Sequence, residues 1–369
     1  EFEIKNKKTL VINNIEYGSF KGFDLKFNKD VISHSLFSLS HVKKSSRLMI
    51  EEKINNFLSA PNDSINLGNI NTINFSNNIK IYWGEEVIGQ LIKGTSLSSP
   101  IAEAINTEYL SSDRKLLISA KLQNWINEMI QTKLWPLKED IDGRLSSNMR
   151  AIQFNIFENL GTLSIDKFSS FLKDFSAEDK NIISKLGIRI GAKYFFVPNF
   201  LKKASMELLA VLWCVYNEYK FDGFLPLPKD GRVSFITTVQ MEEGYWSSIG
   251  YLKLNNFAIR VDVFERIFFI ARQKIKSGPF LDSADLMNPV GCNREQLKDI
   301  LSFCGFKFIK LSSDRYLYYY ESKNTSLKSK RPRSKTIDLA KKTKIKKISN
   351  KNKKLADPDS PFAVLEKLL

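Results

Sequence analysis

One segment near the C-terminus limits what the chain can fold into. Residues 322–354 contain 14 Lys and Arg residues and a single acid, Asp338. So many charges with so few apolar side chains cannot bury enough surface to offset the entropy lost on ordering, so we expect this segment to be disordered when free. A folded core must then come from residues 1–321. With 369 residues in all, two or three domains are the starting expectation.

The position of the positive charge indicates the class of partner. The net charge is +16, and most of it lies in this segment, whereas residues 1–321 are only mildly basic. A dense run of cations favours a phosphate backbone, because each neutralised phosphate releases counterions whatever the base sequence. A solubilising tail, or one that attracts anionic lipid, is the alternative. The tail residues assigned to contact with RNA or DNA are Lys330, Arg331, Arg333, Lys341, Lys342, Lys344, Lys346 and Lys347.

Simple features of the sequence exclude several classes of protein. The longest uninterrupted apolar run, 208–216, is too short to cross a bilayer as a helix, and the first residues have no secretory apolar stretch. The three cysteines form no CxxC pair and both histidines lie far from them, so neither a zinc site nor a disulfide framework is expected. A reducing compartment, the cytoplasm, fits these features, and no membrane partner is expected.

The sequence contains no recognisable catalytic centre. It has no GxxxxGK[ST] phosphate-binding loop. The glycine-flanked segment 18–22 is too short to form one and lacks the Ser or Thr that should follow its lysine. His34 and His41 have no nucleophile motif near them, which argues against Ser–His or Cys–His catalysis. We therefore expect no cofactor and no enzymatic activity from this chain alone.

The alternation of helical and strand patterns predicts an α+β fold that is mainly helical, with small β-hairpins interleaved and no RecA-like or Rossmann sheet. Turn residues and shifts of composition suggest five regions. These are a hairpin-plus-helix repeat region at 1–106, a helical domain with a β-hairpin at 188–197 within 107–221, a winged-helix-like domain at 222–321, the basic tail at 322–354 and a short docking helix at 355–369.

Two hairpins in the first region resemble each other. Residues 10–18 and 81–89 each read as strand, tight turn, strand and glycine, and helical segments at 35–58 and 113–134 follow them. A duplicated hairpin-plus-helix unit is the hypothesis. Further along, 220–248 is rich in Pro and Gly and is expected to be a linker.

Residues 261–320 predict a winged helix-turn-helix. Helical patterns at 261–276, 280–287 and 294–304 precede two alternating runs at 306–310 and 316–320. In that arrangement the third helix can enter a groove while the ribbon lies against the backbone. The expected contacts are Arg294 and Lys298 on the helix, with Lys307, Lys310 and Arg315 on the wing.

The third helix also carries Glu295 and Asp299, which repel phosphate, so base-specific recognition is not supported. A winged helix that only joins proteins or braces a larger enzyme is the alternative. Residues 145–197 repeat the same order of elements, which raises the prospect of a second such module. The basic residues assigned to nucleic acid there are Arg189, Lys193, Lys202 and Lys203.

The last residues predict a tethered docking element. Ser360 can cap a helix that Pro361 begins. Its apolar face is formed by Phe362, Leu365 and Leu368. An apolar helix beyond a basic linker is suited to docking on this protein or on a protein partner.

Several segments, taken in order, resemble one protein family. They lie at 81–94, 150–161, 185–198, 258–266, 289–292 and 357–363. Together they resemble the long C-terminal region of the bacterial superfamily 2 helicases that are related to the mitochondrial RNA degradosome helicase. The chain lacks that family's ATP-binding and ATP-hydrolysing motifs, so none of those residues can be assigned here. It also starts at Glu1 rather than Met, which suggests a piece of a longer protein.

The resemblance implies the accessory half of an ATP-driven helicase that guides RNA or DNA strands. Motor domains in cis would be the partner, and ATP and Mg are expected only there. Two other hypotheses remain open at this point: a free-standing winged-helix nucleic-acid-binding or architectural protein, and a protein-interaction scaffold.

Overall fold

A computed structural model describes residues 2–5, 9–12, 14–28, 39–68, 79–134, 145–168, 170, 172, 175–219, 225–237, 241–311 and 314–320. All of these lie in one of the two units of the chain, Glu1–Glu321. The predicted basic tail at 322–354 and the predicted docking helix at 355–369 lie outside the described residues.

The first part of the unit is a pair of four-stranded antiparallel meanders, each followed by a helix. The first meander contains β1 (Phe2–Lys5), β2 (Thr9–Ile12), β3 (Ile15–Lys21) and β4 (Asp24–Phe27), and α1 (Leu39–Ser59) follows it. The second contains β5 (Ile65–Asn66), β6 (Ile79–Trp83), β7 (Glu86–Ser96) and β8 (Ser99–Ala104), and α2 (Ser112–Lys133) follows it.

The two hairpins that resemble each other in sequence have the same register. Leu10 pairs with Gly18 and Ile81 pairs with Gly89, and in both hairpins the register shifts at the next residue towards the turn. Both turns include a residue with positive φ, Asn14 at 68° and Gly84 at 61°, as two-residue hairpin turns require. The two hairpins therefore share one register, and a helix follows each of the two meanders.

Helix α2 packs its apolar stripe on the second meander. Ile118, Leu122 and Ile126 are buried, as their spacing predicts. Gly89 lets the helix approach, since a Cβ there would lie 2.5 Å from Leu122 Cδ1 and 2.7 Å from the Glu103 carbonyl oxygen. On the same helix, the Lys121 Nζ donates hydrogen bonds to three carbonyls at the end of α1, those of residues 57, 58 and 60, at 2.7, 3.0 and 2.5 Å. The helix therefore joins both repeats.

Two later modules share one topology. The middle module has α3 (Ser147–Glu158), β9 (Thr162–Ser164), α4 (Ala177–Lys185), β10 (Arg189–Ile190) and β11 (Tyr194–Phe196). The C-terminal module has α7 (Val261–Lys274), β15 (Phe280–Leu281), α8 (Ala284–Met287), α9 (Arg294–Phe303), β16 (Lys307–Lys310) and β17 (Tyr316–Tyr319). In each module the third strand lies between the first and the second, in the orders β9-β11-β10 and β15-β17-β16.

Between the modules lie a buried helix and a small sheet. Helix α5 (Lys203–Tyr216) is almost wholly buried, and α6 (Glu243–Ser248) contributes the buried side chains of Tyr245 and Trp246. The sheet has the order β12-β14-β13, from β12 (Ser234–Ile236), β13 (Tyr251–Leu254) and β14 (Phe257–Arg260). The stretch expected to be a linker at 220–248 therefore contributes a strand and a helix to the fold.

The expectation of a mainly helical fold is wrong. The described strands form five antiparallel sheets of three or four strands, so the fold is a mixed α+β arrangement. Strands such as β12 and β15 have two or three residues, too few for an alternating pattern to show in the sequence. They exist because they complete sheets whose other strands lie far along the chain. Residues 280–287, expected to be one helix, divide for this reason into β15 and α8.

Among the described residues, no helix is both long and apolar enough to cross a membrane.

Candidate nucleic-acid interface

A buried carboxylate lies at the centre of the candidate site. Asp282 directly follows β15, and its side chain is only 2% exposed. The backbone N–H of Tyr316 donates to Asp282 Oδ1 at 2.9 Å, and the Asp282 N–H donates to the Tyr316 carbonyl at 3.2 Å. The pairing of β15 with β17 therefore fixes the carboxylate within the sheet.

Two of the predicted contact residues meet at this carboxylate. Arg294 Nε donates to Asp282 Oδ2 at 3.0 Å, and Arg315 Nε approaches the same oxygen at 3.4 Å. Arg315 Nη2 also donates to the backbone carbonyl of Asp282 at 2.7 Å. We call Arg294 and Arg315, which are both held by Asp282, the arginine pair.

The arginine pair presents more positive charge than the buried carboxylate cancels. The side chains of Arg294 and Arg315 are 49% and 39% exposed. The two Nη groups of Arg294 have no hydrogen-bond partner among the described residues. A guanidinium held by its Nε and open at its Nη groups is oriented to bind a phosphate through two parallel hydrogen bonds.

Local sequence explains why Arg294 projects from the start of α9. Asn293 and Gln296 form a reciprocal capping box, in which each side chain accepts a hydrogen bond from the backbone N–H of the other residue. The cap begins the helix at Arg294, beside the sheet edge that carries Asp282.

The pKa of Asp282 reflects these contacts. Burial acts to raise the pKa, but the hydrogen bond from Tyr316 and the charges of the two arginines outweigh it. The pKa of Asp282 is therefore lowered from its ordinary value, and the carboxylate is charged at neutral pH.

Two other predicted contacts are occupied within the protein. Lys298 forms an ion pair with Glu295 and lies 3.9 Å from Asp299, while Tyr316 donates its hydroxyl proton to Glu295. Lys310 pairs with Asp314 at 2.8 Å. Lys307 is exposed on β16 without an ion pair among the described residues. Lys298 and Lys310 thus each pair with a carboxylate of the same module, whereas Lys307 pairs with none that the structure describes.

Two of the four predicted cations of the middle module, Arg189 and Lys193, lie on a hairpin that is attached to the C-terminal module. Arg189 is exposed on β10 and Lys193 lies at the turn before β11. Glu265 of α7, only 8% exposed, accepts hydrogen bonds from the backbone N–H groups of residues 192, 193 and 194, at 2.6, 2.8 and 2.7 Å. Lys202 and Lys203 are exposed where α5 begins.

The tyrosines of the last strand have separate roles. Tyr316 and Tyr318 are 3% and 0% exposed and belong to the core, whereas Tyr320 is 54% exposed. They therefore do not form one surface for stacking bases. The tail cations from Lys330 to Lys347 lie outside the described residues.

Sequence reasoning missed Asp282 and Glu265. Both act on partners far along the chain, at 33 residues for Asp282 with Arg315 and 71 to 73 residues for Glu265 with the hairpin. Within the described residues, no group of His, Cys, Asp and Glu could hold a metal ion.

Comparisons with family models, with curated proteins and with solved structures found no match to this chain.

Proposed function

We propose that this chain is the nucleic-acid-binding accessory region of an ATP-dependent superfamily 2 helicase, which guides RNA or DNA strands for motor domains in cis. The proposal assigns binding and positioning of the strand to this chain, and ATP and Mg to the motor. It also places the protein in the cytoplasm.

The arginine pair is the observation that carries the binding half of the proposal. A buried carboxylate holds both guanidinium groups by their Nε atoms, both side chains are partly exposed, and the Nη groups of Arg294 remain open to a ligand. Phosphate contact gives affinity without base recognition. That suits a guide which must hold any sequence that the motor delivers.

The helicase half is supported by the resemblance and by where the resembling segments lie. Segment 185–198 contains the hairpin, and segment 258–266 contains Glu265, which accepts its hydrogen bonds. Segment 81–94 forms the second repeated hairpin. The segments thus include structural positions that the fold depends on.

Binding is tested with the full chain and labelled single-stranded RNA and DNA in a titration over salt. Contact with six or more phosphates of a single strand predicts a log–log slope of roughly −4 or steeper. A flat response would support the scaffold hypothesis instead. A preference for one duplex sequence would favour the free-standing winged-helix protein.

The variant Arg294→Gln tests the site itself. It removes one outward guanidinium while Arg315 and the Tyr316 N–H still satisfy Asp282. We expect single-strand affinity to fall about fivefold and the salt slope to become shallower by about 0.7. Arg150→Gln, which removes an exposed arginine from α3, is the matched control. Equal behaviour of the two variants would contradict the assignment.

The link to a motor is tested separately, by reading the coding sequence upstream of Glu1. An in-frame motor with a P-loop supports the accessory role. Detecting ATP hydrolysis by the isolated chain would contradict the division of labour.

A further inference from the structure

A small cleft lies where helix α5 begins. Its wall includes Lys203 in the first turn of α5, the loop of residues 227–232, and Arg260 at the end of β14. Four cations line it, Lys203, Lys229, Arg232 and Arg260, against two carboxylates, Glu207 and Asp230. The cleft is thus a local concentration of positive charge in a concave surface.

Three of these cations are available for a ligand. Lys203, Lys229 and Arg232 are exposed, and none forms an ion pair with a carboxylate among the described residues. Arg260 differs, because its Nε and Nη2 bind Asp262 at 2.7 and 2.9 Å. The three unpaired cations stand close enough to line one cleft, where their mutual repulsion would be relieved by a bound anion.

Backbone contacts hold the loop of the cleft in place. The Tyr251 hydroxyl donates to the Arg232 carbonyl, and the Arg260 N–H donates to the Val233 carbonyl at 2.8 Å. The Arg232 N–H donates to the Lys229 carbonyl at 3.1 Å, which closes a turn that contains Gly231 with φ of 74°. The backbone of the loop is therefore anchored to the sheet.

The size of the cleft restricts the ligand. Its volume is about 30 Å³, so it admits only a small chemical group. One or two oxygens of a phosphate group can enter it. The chemistry of the wall and the size together favour a phosphate that approaches from solvent.

A hydrogen bond connects the cleft to the arginine pair. Ser234, two residues after Arg232, donates from its hydroxyl to the Val290 carbonyl at 2.6 Å, and Arg294 follows four residues later. Chain geometry then limits the Cα separation of Arg232 and Arg294 to at most about 30 Å. One strand of ten or so nucleotides is long enough to reach both places.

We propose that this cleft is a second backbone-phosphate site, which binds a phosphate of the same single strand that the arginine pair binds. The inference rests on the proposed function and adds a second fixed point on the strand. Two fixed points define a direction for the strand across the surface, which one point cannot do.

The test uses the full chain, a labelled 12-nucleotide RNA and the double variant Lys229→Gln with Arg232→Gln. Both side chains are exposed on a loop, so the fold should be kept, and circular dichroism checks this. Arg150→Gln with Lys180→Gln is the matched control, because it removes the same charges from exposed helical positions. We expect the cleft variant to bind RNA about tenfold more weakly, with a salt slope shallower by about 1.4, and the control to change less than twofold.

Hydrogen exchange gives an independent readout. RNA should slow exchange of the amides in residues 226–233 of the unmodified chain, and inorganic phosphate at millimolar concentration should not. Protection by inorganic phosphate without protection by RNA would overturn the proposal in favour of a free-phosphate site.

The failures of the two proposals are distinguishable. If the cleft variant and its control bind alike while Arg294→Gln weakens binding, the second site is wrong and the proposed function stands. If the unmodified chain binds neither RNA nor DNA in dilute buffer, the proposed function fails, and this inference fails with it.

Discussion

At the scale of single residues, the Asp282 carboxylate binds the side chains of two arginines, so their positions depend on its charge. A carboxylate that accepts hydrogen bonds from a backbone N–H and two guanidinium groups holds all three in one geometry. An amide at the same position keeps the shape but loses the charge. Arg294 would then be free to turn away, because nothing else among the described residues holds it, whereas Arg315 keeps its bond to the Asp282 backbone carbonyl.

We therefore predict that Asp282→Asn lowers the free energy of unfolding by about 2 kcal/mol at neutral pH, the usual range for hydrogen bonds to a charged group. Urea denaturation measures this. The folded-state pKa of Asp282 lies below its ordinary value, so its contribution is present above about pH 4 and is lost as the pH falls through the folded-state pKa. The difference between the wild type and Asp282→Asn should shrink towards pH 3. A difference that stays constant from pH 7 to pH 3 would show that the charge is not what stabilises the site.

At the scale of elements, the Glu265 carboxylate joins helix α7 of the C-terminal module to the hairpin of the middle module. Three backbone N–H groups converge on it, and Gly191 leaves the space that it occupies. A Cβ at residue 191 would lie 2.3 Å from the carboxyl carbon of Glu265. The Glu265 carboxylate can therefore reach the three N–H groups only because residue 191 is a glycine, although the two positions are 74 residues apart.

A double-mutant cycle tests this coupling. Gly191→Ala should push the carboxylate away, and Glu265→Gln should replace one acceptor with a donor that faces N–H groups. Each change should cost about 1–3 kcal/mol, and the double variant should cost clearly less than the sum, since both remove the same contacts. Thermal denaturation of the four proteins measures the cycle. Strict additivity would mean that the two residues act independently.

The elements also show what sequence patterns can supply. The stripe of α2, the two similar hairpins and the cap of α4 by Ser176 and Asp179 follow from local spacing, and the structure has all of them. Strand β15 could not be predicted, because two residues carry no period and Phe280 pairs with Tyr318. The site divides in the same way: charge and position indicated Arg294 and Arg315, but only the β15–β17 pairing brings Asp282 between them.

At the scale of the whole molecule, the described unit contains two arrangements of elements that each occur twice. The meander with its helix occurs twice in the first part, and the three-stranded helical module occurs twice in the second. The copies are not equivalent in charge. Ile165 follows β9 where Asp282 follows β15, so the middle module has an apolar residue at the position of the buried carboxylate. The two modules share a strand order, and the arginine pair belongs to the C-terminal one.

The basic tail and the folded unit should also contribute differently to binding. The tail concentrates charge and should supply most of the counterion release, whereas the arginine pair should fix where the strand lies. Replacing Lys341, Lys342, Lys344, Lys346 and Lys347 with Gln in the full chain should make the single-strand salt slope shallower by up to about 3.5, against about 0.7 for Arg294→Gln.

A crosslinking experiment should then distinguish a loss of RNA affinity from a loss of the position of the strand on the protein. With the tail variant, RNA should still crosslink to the C-terminal module, because the arginine pair is intact. A higher protein concentration should be needed to observe the crosslink. With Arg294→Gln, RNA should bind with only the loss of affinity of about fivefold expected for this variant, and the crosslink to the C-terminal module should disappear. If the tail variant loses the crosslink while Arg294→Gln keeps it, the folded unit does not position the strand, and the roles assigned to the two parts are reversed.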